Sequence, residues 1–218
     1  MARAYYPIFA DLTGRRCVVI GGGPIAQRKV TTLLSYGARV ILVSPTVTPH
    51  LRALARRGRM THRARTFRPT DLAGAWLVYA ATDDEQVNRR VEHAARRARV
   101  FANLVDQTAR CTFIAPSIFR RGQVTIAVST GGASPSLAKH LRRDVARTVG
   151  EDYARMLRLL SRLRGIAKQQ LLAYHDRRRY FDQLITGETF RLIRVGKTRH
   201  AQRAAMQLLG RYVQRATR

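Results

Sequence analysis

The sequence predicts an α/β fold in three parts: a doubly wound parallel sheet over residues 1–113, a small α+β segment over 114–149 and a helical domain over 150–218. Three observations carry that reading. Strand-like and helix-like stretches alternate through the first half. A glycine-rich turn follows the first strand. Helical periodicity then dominates from about residue 150 onward.

Residues 15–20 are apolar and β-prone, as expected of a strand buried on both faces. Residues 24–36 read as a helix with Ile25, Leu33 and Leu34 available to pack on the sheet. "ARVILVS" (38–44) is a second strand, stopped by Pro45, and "MTHRARTF" (60–67) is a weaker third nearer an edge. "AWLVYAAT" (75–82) is the fourth. A helix over 83–98 places Val87, Val91, Ala94, Ala95 and Ala98 on one face, with acids at its N-terminus where the helix dipole favours them. "VFANLV" (100–105) is the fifth strand.

Beyond residue 113 the rhythm changes. "QVTIAVST" (123–130) alternates as a half-buried strand does, and Ser134 and Pro135 supply an N-cap and a first helical residue. In the helical part, Met156, Leu160, Leu163 and Ala167 form one stripe, and Ala201, Ala204, Ala205, Leu208, Tyr212 and Val213 form another. Stripes at this spacing are core or partner-facing helix surfaces.

Composition limits the function classes. At 45% hydrophobic and 25% charged residues, the 218-residue chain is globular and can bury a real core. The opening "MARAYYPIFADLTGRR" has no apolar run of signal-peptide length, and no stretch reaches the roughly 18 apolar residues of a membrane helix. A cytoplasmic location with no membrane partner is expected. Cys17 and Cys111 lie far apart without CxxC spacing, which points to neither a disulfide scaffold nor a zinc site. Lys and Arg number 41 against 13 acids, a net charge of +28. A polyanionic small molecule, nucleic acid or a surface habit of arginine would each account for such an excess. It is spread along the whole chain, so no detachable basic arm is indicated.

The turn after the first strand is the most informative stretch. Gly21, Gly23 and Ala26 fit G-x-G-x-x-A, with Gly22, Pro24 and Ile25 filling the turn and opening the helix. Small residues there allow a tight turn, close approach of backbone to a pyrophosphate and close helix–strand packing. The helix N-terminus adds free N–H groups and a positive dipole end. The sheet is therefore Rossmann-like and expected to bind a dinucleotide. An acidic ribose reader about 20 positions on is missing. Ser44, Pro45 and Thr46 occupy that strand end, where Ser44 can offer the ribose a weaker hydrogen bond, and no arginine beside them favours NADP, so NAD is the expected cofactor.

No Tyr-x-x-x-Lys, histidine pair at metal-binding helical spacing or nucleophile–base signature is present, and no metal ligands are assigned. Asp106 stands out because it directly follows the fifth strand, where ligands of open parallel sheets bind. A carboxylate there is placed to act as a general base, or equally to cap the next turn.

"YPIFADLTGRRCVVIGGGPIAQRKV", "AATDDEQVN", "NLVDQTARCTFIAPS" and "IAVSTGGASPSLAKHLR" together resemble the precorrin-2 dehydrogenase/sirohydrochlorin ferrochelatase family, found also as the N-terminal half of siroheme synthase. The likeness runs in order from about residue 6 to 149 and more loosely to about 188. It implies NAD-dependent oxidation of precorrin-2 to sirohydrochlorin, with ferrous iron as a candidate second substrate for insertion. It also implies a homodimer joined through the 114–149 segment, and a helical segment closing over the cleft. Asp106 falls on the family's catalytic aspartate. Thr82 and Asp83 fall beside the cofactor, and Thr130, Gly131, Gly132 and Ser134 fall on a loop bordering the tetrapyrrole. Thr130, often Ser in the family, and Thr112, in place of a common acid, are departures from its pattern. A substrate with eight carboxylates suits a cationic cleft, for which Arg177, Arg178 and Arg179 are either a clamp or a solvated face. The alternative function is a non-catalytic NAD-sensing module binding nucleic acid through its basic C-terminal helices. That partner is disfavoured because it leaves Asp106 and the "STGGASP" loop without a role.

Overall fold

The computed structural model describes residues 4–216, so the last two residues of the expected helical part lie outside the described residues. The chain forms two compact units. The first runs to Ala115 and includes Gly131–Ala133. The second comprises Pro116–Thr130 and the chain from Ser134 onward.

The first unit contains β1 (Arg16–Ile20), α1 (Pro24–Ser35), β2 (Arg39–Val43), α2 (Pro49–Arg56), β3 (Thr61–Arg63), β4 (Leu77–Ala80), α3 (Glu85–Ala98) and β5 (Phe101–Leu104). All five strands pair in parallel in the order β3-β2-β1-β4-β5. The chain works outward from β1 to β3, then crosses back to β4 on the other side of β1. Its switch point lies between β1 and β4.

Successive side chains of a strand point to opposite faces, and both faces of this sheet are covered. Val18 and Ile20 join Val43, Val78, Ala80 and Leu104 in a core shared with Val91 and Ala95 of α3. Cys17 and Val19 point the other way, onto Ala26, Val30 and Leu33 of α1 and Leu51 of α2. This two-sided burial is why β1 reads as an unbroken apolar run, each such side chain contributing about 1.5–3 kcal/mol.

Three details depart from the sequence reading. β3 is only Thr61–Arg63, shorter than 60–67, because the chain leaves the sheet there and Arg65 turns to pair with Asp71. Ala98 is exposed, since α3 ends at it and Arg99 caps the helix in a left-handed conformation, while polar Asn88 is buried instead. An extra helix, α2, begins where the Thr48 hydroxyl accepts from Leu51 N–H (3.3 Å) ahead of Pro49.

In the second unit, β6 (Ser117–Arg121) and β7 (Val124–Val128) form an antiparallel hairpin. Gly122, at φ +59°, makes its turn. Helices follow: α4 (Pro135–Thr148), α5 (Glu151–Gln170), α6 (Tyr174–Thr186), α7 (Glu188–Arg194) and α8 (Thr198–Ala216). Met156, Leu159, Leu163, Ala167, Tyr180, Leu184, Ile193, Ala201, Ala205 and Leu209 make their common core. The expected stripes are present with a small rotation, as Leu159 is buried and Leu160 only partly so. Tyr180 donates its hydroxyl to the Ala205 carbonyl (3.2 Å), and burial pushes its phenol up to about 12.

Candidate active site

Parallel strands deliver all their C-terminal ends to one edge of the sheet. Gly21–Gly23 follow β1, Ser44 follows β2, Thr82 and Asp83 lie just beyond β4, and Asp106 lies just beyond β5. With strands about 4.8 Å apart, the β1 and β5 ends are separated by about 10 Å.

The three glycines have different reasons. A β-carbon on Gly21 (φ +108°) would stand 2.1 Å from the Ala81 carbonyl oxygen, so this glycine lets the turn pass the end of β4 at the switch point. Gly22 is crowded against Thr46. Gly23 has an ordinary extended backbone (φ −82°, ψ −172°), and a β-carbon on it would meet nothing within 4 Å. Neither backbone nor packing demands glycine there, and the open space leaves room for a ligand to approach from outside. Gly23 is also the N-cap of α1, which has no side-chain cap and no acid in its first turn. Pro24 opens the helix, and the N–H groups of Ile25 and Ala26 in its first turn remain outside the helical ladder. The open space, the uncapped helix end and the positive dipole fit a pyrophosphate.

At the next strand end, Ser44 is buried and its hydroxyl donates to the Thr46 carbonyl (2.7 Å). Its carbonyl contacts His62 Nε2 (2.9 Å). The expected ribose contact therefore has its hydroxyl proton already engaged, and Ser44 shapes the strand end. Thr82 accepts from Asp84 N–H (3.2 Å), and its carbonyl accepts from the Asn88 amide (3.1 Å). Asp84 caps α3 by accepting from the N–H groups of Gln86 and Val87 (2.9 and 3.1 Å). Asp83 is exposed beside them. Asn88 thus fixes the Thr82–Asp83 turn, a role its place within a helical pattern did not reveal.

Asp106 is exposed and adopts φ +62°, a left-handed conformation that aspartate tolerates better than most residues. The loop after it is held from several sides. Gln107 donates to Glu85 Oε2 (2.7 Å), and Arg110 reaches both Glu85 (2.6 Å) and Glu92 (2.5 Å) of α3. The Cys111 thiol donates to the Leu104 carbonyl (3.3 Å) and accepts from Leu104 N–H (3.2 Å). Bonds from Gln107, Arg89 and Arg110 hold the Glu85 carboxyl down at about 2.

Lys29 of α1 lies with its ammonium 4.6 Å from the centre of the Tyr79 ring. Burial and the neighbouring Arg28 keep its pKa below the usual lysine range, and the Asp106 carboxylate partly offsets them. Asp106 is thus among the charges that act on Lys29. Nothing in the sequence signalled this, because the two belong to elements far apart in the chain.

Gly131 (φ +64°) and Gly132 (φ +90°) both occupy left-handed backbone, and a β-carbon on Gly132 would lie 2.6 Å from Thr108 Cγ2. The glycine pair therefore lets this part of the loop approach the segment just past Asp106. In the second unit, Thr130 Oγ1 bridges Ser134, donating to its carbonyl and accepting from its N–H (both 3.0 Å). Ser134 caps α4 by accepting from Leu137 N–H (3.2 Å). Among the described residues no group of three or more His, Cys, Asp and Glu is placed to hold a metal ion. No described helix is long and apolar enough to cross a membrane.

Three family models match in chain order. "Putative NAD(P)-binding" covers residues 8–117, "Sirohaem biosynthesis protein central" covers 121–148 and "Sirohaem synthase dimerisation region" covers 152–209. The dimerisation match thus lies on the helices, whereas the resemblance implied dimer contacts through 114–149. Siroheme synthase of Nitrosomonas eutropha is 36% identical over 210 residues, which are 96% of this chain and 44% of that protein. Siroheme synthase 1 of Serratia proteamaculans is 39% identical with the same coverage. This chain spans less than half the length of both relatives. The solved structure titled SirC, precorrin-2 dehydrogenase, superposes with a TM-score of 0.78 at 26% identity, covering 95% of this chain and all of that one.

Proposed function

The chain belongs to the "Putative NAD(P)-binding" family, and on that premise, with its siroheme-related matches in support, we propose that it oxidises precorrin-2 to sirohydrochlorin, with NAD as oxidant and Asp106 as base. The observation that carries the reading is the pairing of an open, uncapped phosphate cradle at Gly23 with a carboxylate two strands away on the same sheet edge.

Gly23 and the first turn of α1 hold the pyrophosphate, and Thr82 and Asp83 border the same crevice. Bound there, NAD supplies the hydride acceptor. One carbon–hydrogen bond of the substrate breaks with its electron pair leaving as hydride. A second hydrogen leaves as a proton, which the Asp106 carboxylate accepts and passes to solvent. The macrocycle loses two protons and two electrons in all, and NADH and one proton are released. The left-handed backbone at Asp106 and the Gln107–Arg110 bonds to α3 keep that carboxylate at the strand end.

Insertion of ferrous iron into sirohydrochlorin is the second proposed step. It displaces two pyrrole protons, and Asp106 can receive them in turn. The iron is substrate here, held by the macrocycle. The chain acts as a homodimer through the helices that match the dimerisation region.

The test is direct: purified protein is incubated with precorrin-2 and NAD. Sirohydrochlorin absorbance and NADH should rise together in equal amounts. Protein that is folded and binds NAD, yet forms no NADH with precorrin-2, refutes the reading.

A further inference from the structure

α5 and α6 each bury one face in the helical core, and each carries a second, amphipathic stripe at its margin, where Leu160 and Phe181 are packed against the core but stay partly exposed. On α5 this stripe is Leu157, Leu160, Ser161, Arg164 and Lys168; on α6 it is Tyr174, Arg177, Arg178, Phe181 and Asp182. Both follow the three- and four-residue spacing of one helix face. They line a groove of about 560 Å³, within the range of small-molecule sites.

The groove is apolar along its floor and cationic along its rim. Leu157, Leu160 and Phe181 are partly exposed apolar surface. Arg177 donates to the Leu171 and Leu172 carbonyls at the end of α5, which anchors its guanidinium. Arg178 stands 3.8 Å from Asp182 across an exposed and therefore weak pair. Arg164 and Lys168 have no ion-pair or hydrogen-bond partner among the described residues. Four cations thus share one carboxylate. The groove lies within the segment that matches the dimerisation region, but a two-fold contact of this face with itself would set those cations against each other. The complement of this groove is an apolar body carrying several negative charges.

We propose that the α5–α6 groove is a binding site for a polycarboxylate tetrapyrrole, with the macrocycle over Leu157, Leu160 and Phe181 and peripheral carboxylates on Arg164, Lys168 and Arg178. This rests on the substrate class of the proposed reaction. It also gives Arg177 and Arg178 separate duties that the run of three arginines concealed: one anchors a helix end, the other faces the ligand.

The experiment uses uroporphyrin, a stable macrocycle with eight carboxylates, titrated into the full chain without NAD and followed by porphyrin fluorescence. One saturable site per chain is expected, weakening as salt is raised. The double variant Arg164→Gln/Lys168→Gln removes two exposed charges and no core contact, and should weaken binding at least about tenfold through loss of charge-assisted hydrogen bonds. Its melting temperature, sedimentation and NAD affinity should match wild type. Arg164→Lys, which keeps the charge, should recover most of the affinity that Arg164→Gln loses. Unchanged uroporphyrin affinity in the double variant overturns the proposal. A changed oligomeric state in the variant also overturns it, by making the groove a subunit contact. So does oligonucleotide binding tighter than uroporphyrin binding that the variant abolishes. Because the assay needs neither NAD nor turnover, uroporphyrin binding that the double variant loses supports the groove even if precorrin-2 is never oxidised. Normal oxidation with unaltered uroporphyrin binding removes the groove and leaves the reaction standing.

Discussion

The Thr46 carbonyl oxygen stands 1.8 Å from where a β-carbon on Gly22 would lie, and Thr48 N–H donates to the Gly22 carbonyl at 3.0 Å. The turn after β1 is thus packed against the segment after β2, while the adjacent Gly23 faces open space. These neighbouring glycines should fail in opposite ways. Gly22→Ala forces backbone apart and should cost about 2–3 kcal/mol or more, as overpacking does. Gly23→Val should lower stability only by the loss of a favoured N-cap, on the order of 1 kcal/mol, and abolish measurable NAD binding. Thermal melts and calorimetric NAD titrations on both variants check this. Wild-type NAD affinity in Gly23→Val would remove the cradle.

Asp106→Asn should keep the fold, because asparagine also tolerates a left-handed backbone such as φ +62°. NAD binding should persist, while oxidation of precorrin-2 falls by about 10²–10⁴, the usual scale of a general base. If the wild-type chain inserts iron, that rate should fall in the same variant. Near-normal steady-state oxidation would leave positioning of NAD and substrate as the main catalytic device.

Asp71 is fully buried. It accepts two bonds from Arg65 (2.6 and 2.8 Å), one from Arg68 N–H (2.9 Å) and one from Arg63. Burial raises its pKa, but these bonds prevail and hold it at about 2. Gln107, Arg89 and Arg110 hold Glu85 equally low. Both folded values lie below the unfolded ones, so the stabilisation is present above about pH 4 and lost as pH falls toward 2. Melting temperature should therefore drop steeply across that window. Asp71→Ala should cost about 2–3 kcal/mol, the scale of bonds to a charged group, rather than more, because Arg63 and Arg65 are about a third exposed and can be hydrated. It should also flatten the acid side of the melting curve.

Ser134→Ala removes the α4 N-cap and should cost about 1 kcal/mol, measured by denaturant unfolding. If the hydroxyl also meets substrate, the KM for precorrin-2 should rise as well. A stability loss with unchanged kinetics confines Ser134 to capping.

The sequence by itself determined the parts that depend on local pattern. β1, β2 and β4 are apolar runs because both sheet faces are covered, so their positions were readable without knowing what covers them. The glycine turn and the placement of Asp106 after β5 follow from chain order alone, since parallel strands send every C-terminal end to one edge. Tertiary structure decided what depends on distant partners. β3 stops early because Arg65 is drawn to Asp71. Ser44 has its hydroxyl proton engaged by Thr46, although its position resembles that of a ribose reader. Gly21, Gly22 and Gly23 are the same letter in sequence, yet carbonyls from Ala81 and Thr46 crowd the first two, and open space surrounds the third. Lys29 comes under the charge of Asp106 only when α1 packs on the sheet beside Tyr79. Periodicity records which face a residue presents. What stands opposite that face is set by elements far along the chain, and that is where most of the site's chemistry lies.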